Sequence, residues 1–279
     1  MSETATLHLR RPVNLPLWVG MAMLGVYGLI ALIGPLLAPH DPNAQDLMGI
    51  LEPPSAAHFL GTDQIGRDIF ARLIVGTRFT LSAALLAVAI SAGIGVTLGL
   101  ITGYAGGKID AAITGVVDLL LTIPNLILAI AVASVIGAGM TGLVVATTAS
   151  FVPRLARLIR GRVLEIREED FIQAAIVSGT RSAKILRRHI LPNALTIVII
   201  ETSLLCGQAV LVGAALGFLG LGVQPPAPEW GTMLGAGREF IEVAPHLVVA
   251  PGLAISLLVF AFNIFGDGLR DHLDPRQNI

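Results

Sequence analysis

The sequence has little charge and almost no cysteine, and each scarcity excludes a class of protein. Only 13% of its 279 residues are charged, about half of the roughly 25% that is usual for soluble domains. Cys206 is the single cysteine, so no disulfide can form within the chain. Apolar residues take the place of the missing charge and make up 54% of the chain. The composition therefore predicts a polytopic membrane protein.

Motifs for catalysis and nucleotide binding are also missing. The sequence contains neither His-Glu-x-x-His nor Gly-x-Ser-x-Gly. The nearest approach to a phosphate-binding loop has Thr102 in place of its first glycine, and Ile109 where a Ser or Thr must bind magnesium. We therefore predict a non-enzymatic chain with no cofactor of its own and no nucleic-acid partner. Any ATP and Mg²⁺ that drive its function are expected to be bound by another polypeptide.

Six apolar runs are long enough to cross a membrane as helices. They are predicted at residues 15–38, 79–103, 112–136, 142–159, 194–221 and 247–265. The first run exceeds a signal-peptide core and has no evident cleavage site, so it is expected to remain as the first span. The predicted fold class is an all-α membrane protein with six transmembrane helices. We divide it into residues 1–77, which comprise a tail, the first span and an extracytoplasmic segment, and residues 78–279, a five-helix core.

The basic residues are distributed unevenly between the segments that join these spans. Of the 18 Lys and Arg residues, 14 belong to segments that lie on one side of a six-span bundle. Those segments are residues 1–14, 105–111, 154–193 and 267–279. The positive-inside rule predicts that both termini and the long segment 154–193 are cytoplasmic.

Small residues recur at four-residue spacing in two of the spans. Such faces allow helix backbones to approach closely in lipid. They serve either packing within one bundle or contact with a second membrane subunit, and the spacing alone leaves both alternatives open. The residues are Ser91, Gly95, Gly99 and Gly103 in the second span, and Ala209, Gly213 and Gly217 in the fifth.

Two carboxylates, Asp118 and Glu201, fall within predicted spans, where ionisable groups are costly. One interpretation is a proton or cation site, as in a secondary transporter. The interpretation that we favour is structural. Each carboxylate either snorkels toward the membrane surface or pairs with another group inside the bundle, and so holds helices together near a cytoplasmic gate. Asn125, Gln208 and Asn263 are neutral polar candidates for the wall of a pathway.

The six histidines are scattered over the loops and the N-terminal tail. On the outer face, His40 and His58 could hold a metal transiently together with Asp41 or Asp63. Their spacing matches no metal motif, so no metal ligand is predicted.

The most polar run within the chain extends over residues 165–192. It is predicted to form two short helical segments that meet at Gly179 and stop at the proline that ends the run. Small side chains recur there at i, i+4 spacing, Ala174 with Ser178 and Ala175 with Gly179. They are expected to leave a shallow face against which another protein can lie.

The spacing in this run resembles the EAA loop of bacterial ABC importer permeases. Gln173-Ala174-Ala175 is followed by Gly179 and by Leu191-Pro192, with Gln173 in place of the family's glutamate. The ending from Arg188 to Asn193 is similar to the peptide and nickel branch. In that family the loop docks into a cleft of the ATPase subunit. The resemblance implies a cytoplasmic coupling loop over residues 160–193, with coupling roles for Gln173, Ala174, Ala175, Gly179, Arg181, His189, Leu191 and Pro192.

Three further stretches are similar to the second ("C") permease subunit of oligopeptide, dipeptide and nickel importers. They are His58 to Asp68, Phe218 to Gly231, and Asn263 to Arg276. Together with the loop they cover almost the whole chain in the right order. The resemblance implies a type I ABC importer permease bundle in a bacterial or archaeal plasma or inner membrane.

The resemblance also implies partners besides membrane lipid: a homologous second permease, two ATPase subunits and an extracytoplasmic substrate-binding protein. Contacts to the binding protein are expected at Asp63, Arg67, Asp68, Glu229 and Trp230, with the lipid interface as an alternative for Trp230. The expected function is ATP-driven import of di- or oligopeptides. Nickel or a metal chelate is the alternative substrate within the same branch, and a proton-coupled secondary transporter is the alternative outside it.

Overall fold

The computed structural model describes residues 14–273, and all regular structure in that range is helical. The range also contains a π-helical turn, Leu186–Ile190, and a 3₁₀ turn, Arg238–Phe240. The predicted tails at residues 1–13 and 274–279 lie outside the described residues. The helices are α1 Leu15–Leu37, α2 Ile69–Ala105, α3 Gly107–Leu121, α4 Asn125–Ile136, α5 Met140–Arg167, α6 Asp170–Val177, α7 Ser182–Ile185, α8 Leu191–Phe218, α9 Trp230–Gly237 and α10 His246–Leu273.

Five helical units of the described range are long and apolar enough to cross a membrane. They are α1, α2, α5, the continuous unit of α7 and α8, and α10. Helices α3 and α4 meet this criterion only as a pair, and their axes are bent by 97°. Counted as one broken span, the pair brings the total to the predicted six.

The predicted span over residues 112–136 is formed by two helices and not by one continuous helix. Helix α3 ends at Leu121, and Pro124 precedes α4 with an extended ψ of 133°. Proline disfavours helical backbone in the residue before it and has no N–H to donate, so the helix breaks there. The prediction relied on the apolar run and overlooked this proline.

The predicted boundary at residue 77 is also wrong, because it falls inside α2. This helix begins at Ile69, where the Asp68 side chain caps it by accepting the Ala71 N–H at 2.7 Å. Arg72, which falls within the predicted extracytoplasmic segment, is buried in this helix and donates to the Pro42 carbonyl at 2.9 Å. Since α1 also packs against α10 and α2, the N-terminal part belongs to the same bundle as the core.

The small-residue face of α2 packs against α5 of the same chain. A Cβ added at Gly95, Gly99 or Gly103 would lie 2.6 Å from the Cβ of one α5 side chain. The facing side chains are Leu155, Ile159 and Val163. Of the two alternatives for this face, the structure therefore shows packing within one bundle, with α2 and α5 almost in backbone contact.

Candidate functional site

Loop 160–193 begins as the last turns of α5 and reverses into the short helix α6. The reversal is closed by the Glu168 N–H, which donates to the Glu165 carbonyl at 3.2 Å. It is also closed by Gln173, whose Nε2 donates to the Arg167 carbonyl at 2.9 Å. Gln173 therefore has a local role that needs an amide donor, which a glutamate carboxylate could not supply.

One face of the loop is anchored in an apolar cluster at this end of the bundle. Ile172, Ile185 and Ile190 are buried there, against the last turns of α5 and the first turn of α8. Burial of a side chain of this size stabilises the packing by about 1.5–3 kcal/mol. Because three such anchors hold the loop, α6 is expected to move together with α5 and α8.

The opposite face of α6 is exposed and largely apolar. Its exposed side chains are Asp170, Phe171, Gln173, Ala174, Ile176 and Val177, so the one charge on this face lies in the first turn. Val177 is 89% exposed, although it lies at the end of a well-anchored helix. An exposed apolar face on a rigid element is typical of a surface that docks with another protein.

Gly179 lies between the two helical segments, as predicted, but it does not belong to a small-residue face. Its φ of +71° places it in the left-handed region, just beyond the end of α6. Its N–H donates to the Ile176 carbonyl at 2.9 Å, and the Thr180 N–H donates to the Ala175 carbonyl at 3.1 Å. These two bonds form a Schellman motif, which favours glycine at this position. Gly179 therefore ends the helix, and it is not part of a small-residue face.

The prediction that the second helical segment stops at Pro192 is wrong. Pro192 lies in the first turn of α8, and the helix continues from α7 through the π-helical turn into α8. In this turn the Leu191 N–H bonds to the Leu186 carbonyl, five residues back. The Asn193 side chain donates to the His189 carbonyl at 2.6 Å. The wider turn accommodates a proline that has no N–H to offer.

The remaining predicted members of loop 160–193 surround this turn. Arg181 is exposed and precedes α7 as its capping residue. His189 is half-buried, and its ring centroid lies 6.4 Å from that of Phe171 on α6. The structure thus brings α6 close to the π-helical turn that precedes α8, and the coupling role of these residues stays a prediction.

Three arginines on one face of α5 pair with carboxylates on neighbouring helices. Spacing of three residues places them on one side of the helix. The pairing that we favoured for Asp118 and Glu201 is therefore present, whereas their role at a gate stays a prediction. The arginines had been assigned to a loop, although their i, i+3 spacing could have identified them. The pairs are Arg154 with Glu201 on α8, and Arg157 with Asp118 and Arg160 with Asp110 on α3.

Arg154 also connects two of the predicted pathway residues. Its guanidinium lies 2.7 Å from Glu201 and 3.1 Å from the Gln208 side-chain oxygen, two helical turns further along α8. Asn263 on α10 is exposed and approaches α8 next to Gln208, while Asn125 begins α4 at the bend. Arg154 thus joins Glu201 and Gln208 in one polar cluster, which the sequence had not indicated.

The residues predicted to contact a binding protein are buried, so the prediction of direct contact is corrected. Asp63 holds Arg67 at 2.6 Å, and Arg72 lies 3.7 Å from the same carboxylate. Asp68 is equally buried at the start of α2. These side chains stabilise the 39–68 segment from within. The contact was expected from the family resemblance, but the segment folds over its own charged groups.

Trp230 is buried as well, which contradicts both roles that the sequence predicted for it. Its indole N–H donates to the Leu73 carbonyl of α2 at 3.0 Å. Its ring meets Tyr27 of α1 edge-on, with the centroids 6.2 Å apart. The indole therefore joins α9 to α1 and α2, away from both lipid and a partner.

Glu229 is 1% exposed and caps α9. Its two carboxylate oxygens accept the Gly231 and Thr232 N–H groups, each at 2.9 Å. Burial raises the pKa of this carboxyl above its usual range, and the backbone donors oppose that shift. The carboxyl is thus an internal brace between α9 and the bundle.

Glu229→Ala is expected to destabilise the chain by about 2–4 kcal/mol, because it removes a helix cap and leaves two buried N–H groups unpaired. Thermal unfolding in detergent monitors the loss. Glu239→Ala removes an exposed carboxylate from the 3₁₀ turn after α9 and is the matched control. Equal melting temperatures for the two variants would contradict the bracing role.

The fold as a whole matches a solved transporter. The inward-facing MetNI methionine ABC transporter aligns with a TM-score of 0.61 at 22% identity, covering 73% of this chain and 96% of that one. Taken with the six-span count, this defines the class: a multi-pass membrane protein with the type I permease fold.

The family follows from sequence comparison. The model of the binding-protein-dependent transport system inner membrane component matches residues 95–279, and that of the N-terminal TM domain of oligopeptide transport permease C matches residues 15–54. The chain therefore belongs to the family of binding-protein-dependent transport system inner membrane components.

Similar curated proteins match over nearly the full length of the chain. The dipeptide transport system permease protein DppC of Alkalihalophilus pseudofirmus is 44% identical over 93% of this chain and 85% of that protein. The glutathione transport system permease protein GsiD of Pectobacterium atrosepticum is 44% identical over 88% and 82%. The probable D,D-dipeptide transport system permease protein DdpC of Escherichia coli is 43% identical over 94% and 88%.

Proposed function

We propose that this chain is the second permease subunit of an ATP-driven importer of short peptides, and that it forms half of the translocation pathway. The observation that carries the substrate class is its similarity to permeases of dipeptide, D,D-dipeptide and glutathione systems. The substrates in those names share one chemistry, since each is a short peptide.

Coupling to ATP is proposed to pass through the exposed face of α6. Its one buried residue, Ile172, packs in the cluster that also contains residues of α5 and α8, so force on α6 is transmitted to two spanning helices. The chain lacks a phosphate-binding loop, so two separate ATPase subunits are proposed to bind ATP and Mg²⁺. The uneven distribution of Lys and Arg supports a cytoplasmic position for this loop and for both termini.

The ion pairs of α5 are proposed to stabilise one state of the pathway. Arg154 and Arg157 tie α5 to α8 and α3, so movement of α5 driven by loop 160–193 would strain or break them. This pairing favours a gating role for Asp118 and Glu201 over proton coupling in a secondary transporter. The other partners proposed are a homologous permease, and a binding protein that meets exposed residues of the 39–68 and 224–246 segments.

The proposal is tested by measuring uptake in cells from which only the gene for this chain has been deleted. All other peptide importers of these cells are left intact. Labelled dipeptide, D,D-dipeptide, glutathione and nickel are offered in parallel. We expect the deletion to abolish uptake of at least one peptide, leave nickel uptake unchanged, and be reversed by the intact gene. If the deletion abolishes nickel uptake but no peptide uptake, the peptide assignment is overturned. A second assay uses liposomes that contain only this chain. Peptide uptake driven there by a proton gradient would overturn the assignment to an ATP-driven importer.

A further inference from the structure

We propose that His40, His58 and Asp68 form a binding site for one divalent transition-metal ion, with Zn²⁺ as the best match. The site lies where the chain leaves α1 and enters α2. It is independent of the peptide-import function, because it involves neither loop 160–193 nor the arginine pairs of α5.

The three side chains already surround a common point. The Nδ1 atoms of His40 and His58 lie 3.3 Å and 2.7 Å from the same oxygen, Oδ2 of Asp68. All three ligand atoms lie within 4.8 Å of one another. Tetrahedral zinc with bonds of about 2.0 Å separates its ligand atoms by roughly 3.3 Å. Small side-chain rotations would therefore open the cluster enough to admit an ion.

The aspartate is held in the orientation that a ligand needs. Its side chain is 2% exposed, and its Oδ1 accepts the Ala71 N–H at 2.7 Å as the cap of α2. This bond directs Oδ2 toward the two imidazoles. Backbone donors that fix a metal-binding carboxylate in this way are a regular feature of metal sites.

His58 is positioned with similar precision by its own turn. Its N–H donates to the Ser55 hydroxyl at 3.0 Å, and its carbonyl accepts the Ser55 N–H at 2.8 Å. The His40 and His58 rings lie 5.0 Å apart at 39°. His40 is the most open of the three, with 43% of its side chain exposed, so an ion can enter from that side.

The charge balance of the cluster also favours a cation. Asp68 is a buried carboxylate, and within residues 14–273 no Lys or Arg lies within 4 Å of it. The basic residues nearby, Arg67 and Arg72, instead approach Asp63. A buried carboxylate without a full counter-charge is costly, and a divalent ion would supply that charge.

The donor set narrows the class of ion. Two imidazoles and one carboxylate suit Zn²⁺ and its neighbours Co²⁺ and Ni²⁺, whereas Mg²⁺ and Ca²⁺ require mainly oxygen ligands. With three protein ligands, a tetrahedral ion keeps one position open for water. Bound metal would clamp the end of α1, the His58 turn and the start of α2 together.

Two members of this cluster, His40 and His58, are considered from the sequence, but Asp68 is missed because the three residues come from separate segments. His40 and His58 had been considered with Asp41 or Asp63, yet the structure brings neither of those into the cluster with them. The turn at Ser55 and the cap of α2 place Asp68 there instead.

The test is a Zn²⁺ titration of the full-length chain, purified without a polyhistidine tag and held in lipid nanodiscs. We expect one Zn²⁺ to bind per chain, and the melting temperature to rise with it. His40→Gln and His58→Gln are each expected to weaken binding at least about tenfold. Co²⁺ in place of Zn²⁺ should show the visible absorption of a tetrahedral site, and both variants should lose it.

His272→Gln is the matched control, because it removes an exposed histidine from the far end of α10. It is expected to leave Zn²⁺ affinity unchanged. The proposal is overturned if the wild-type chain binds no stoichiometric Zn²⁺, or if either cluster variant binds as tightly as wild type. Equal weakening by His272→Gln would overturn it too, since the ion would then be bound elsewhere.

Discussion

Gly99→Val is expected to prevent accumulation of the folded bundle, whereas Gly93→Val in the same helix is tolerated. A Cβ at Gly99 would lie 2.6 Å from the Ile159 Cβ and 2.8 Å from the Ala156 carbonyl oxygen. The Ala156 carbonyl oxygen belongs to the backbone, so it cannot rotate out of the way as the end of a side chain could. Helix α2 would have to separate from α5 over several turns, and those turns also carry the close approaches at Gly95 and Gly103. Overpacking costs about 1–3 kcal/mol even in soluble cores that can relax.

Gly93 is a matched control position, because it is also a glycine and lies less than two turns from Gly99 on α2. It is exposed, and an added Cβ there meets nothing within 4 Å. Both variants change helix propensity equally, so only the contact with α5 distinguishes them. Fluorescence size-exclusion chromatography of membrane extracts measures the folded fraction. Equal yields from the two variants would show that the α2–α5 contact is not the tight interface described above.

Val177→Asp is expected to abolish ATP-driven uptake while leaving the fold intact. Val177 is 89% exposed at the end of α6, so a carboxylate there costs the isolated chain little. If the face docks into an ATPase subunit, the same carboxylate becomes buried without a partner, at a cost of several kcal/mol. Each 1.4 kcal/mol corresponds to a factor of about ten in binding. Uptake is therefore expected to fall at least about tenfold, and the ATPase subunits should no longer co-purify.

Val243→Asp is the matched control for this substitution. Val243 is 78% exposed in the turn between α9 and α10, well away from loop 160–193 in the sequence. The same change of side chain there should leave co-purification of the ATPase subunits intact. The docking assignment for α6 fails if Val177→Asp retains the ATPase subunits and transports at the wild-type rate. Gly179 is a poor site for such a test, because any bulky residue there strains the left-handed turn.

The contacts of the charged residues in the outer loops show why the predicted contact residues needed correction. Arg67, Asp68 and Glu229 looked like surface groups because charged residues in loops are usually solvated. In the structure each is held by a specific partner: a carboxylate, a helix N-terminus or a pair of backbone donors. No local pattern distinguishes a charge that points outward from one over which the loop closes.

Much of the architecture followed from local properties of the chain. Apolar run length set the number of spans, because a membrane-crossing helix must satisfy its backbone within lipid. The spacing of Gln173, Gly179 and Pro192 located loop 160–193. The absence of a phosphate-binding loop predicted that ATP is bound by another subunit. These features depend on composition and on near neighbours in sequence, which is why they can be inferred without coordinates.

The remaining features depend on which segments meet in space, and only the tertiary structure decided them. It shows that the glycines of α2 pack against α5 and that Glu201 pairs with Arg154. It also shows that Trp230 is buried and that His40, His58 and Asp68 lie close together. Each of these arrangements joins residues from separate elements, and their contacts are set by how the helices and the outer segment pack. A sequence specifies such packing only through the sum of many weak contacts, so no short sequence motif predicts it.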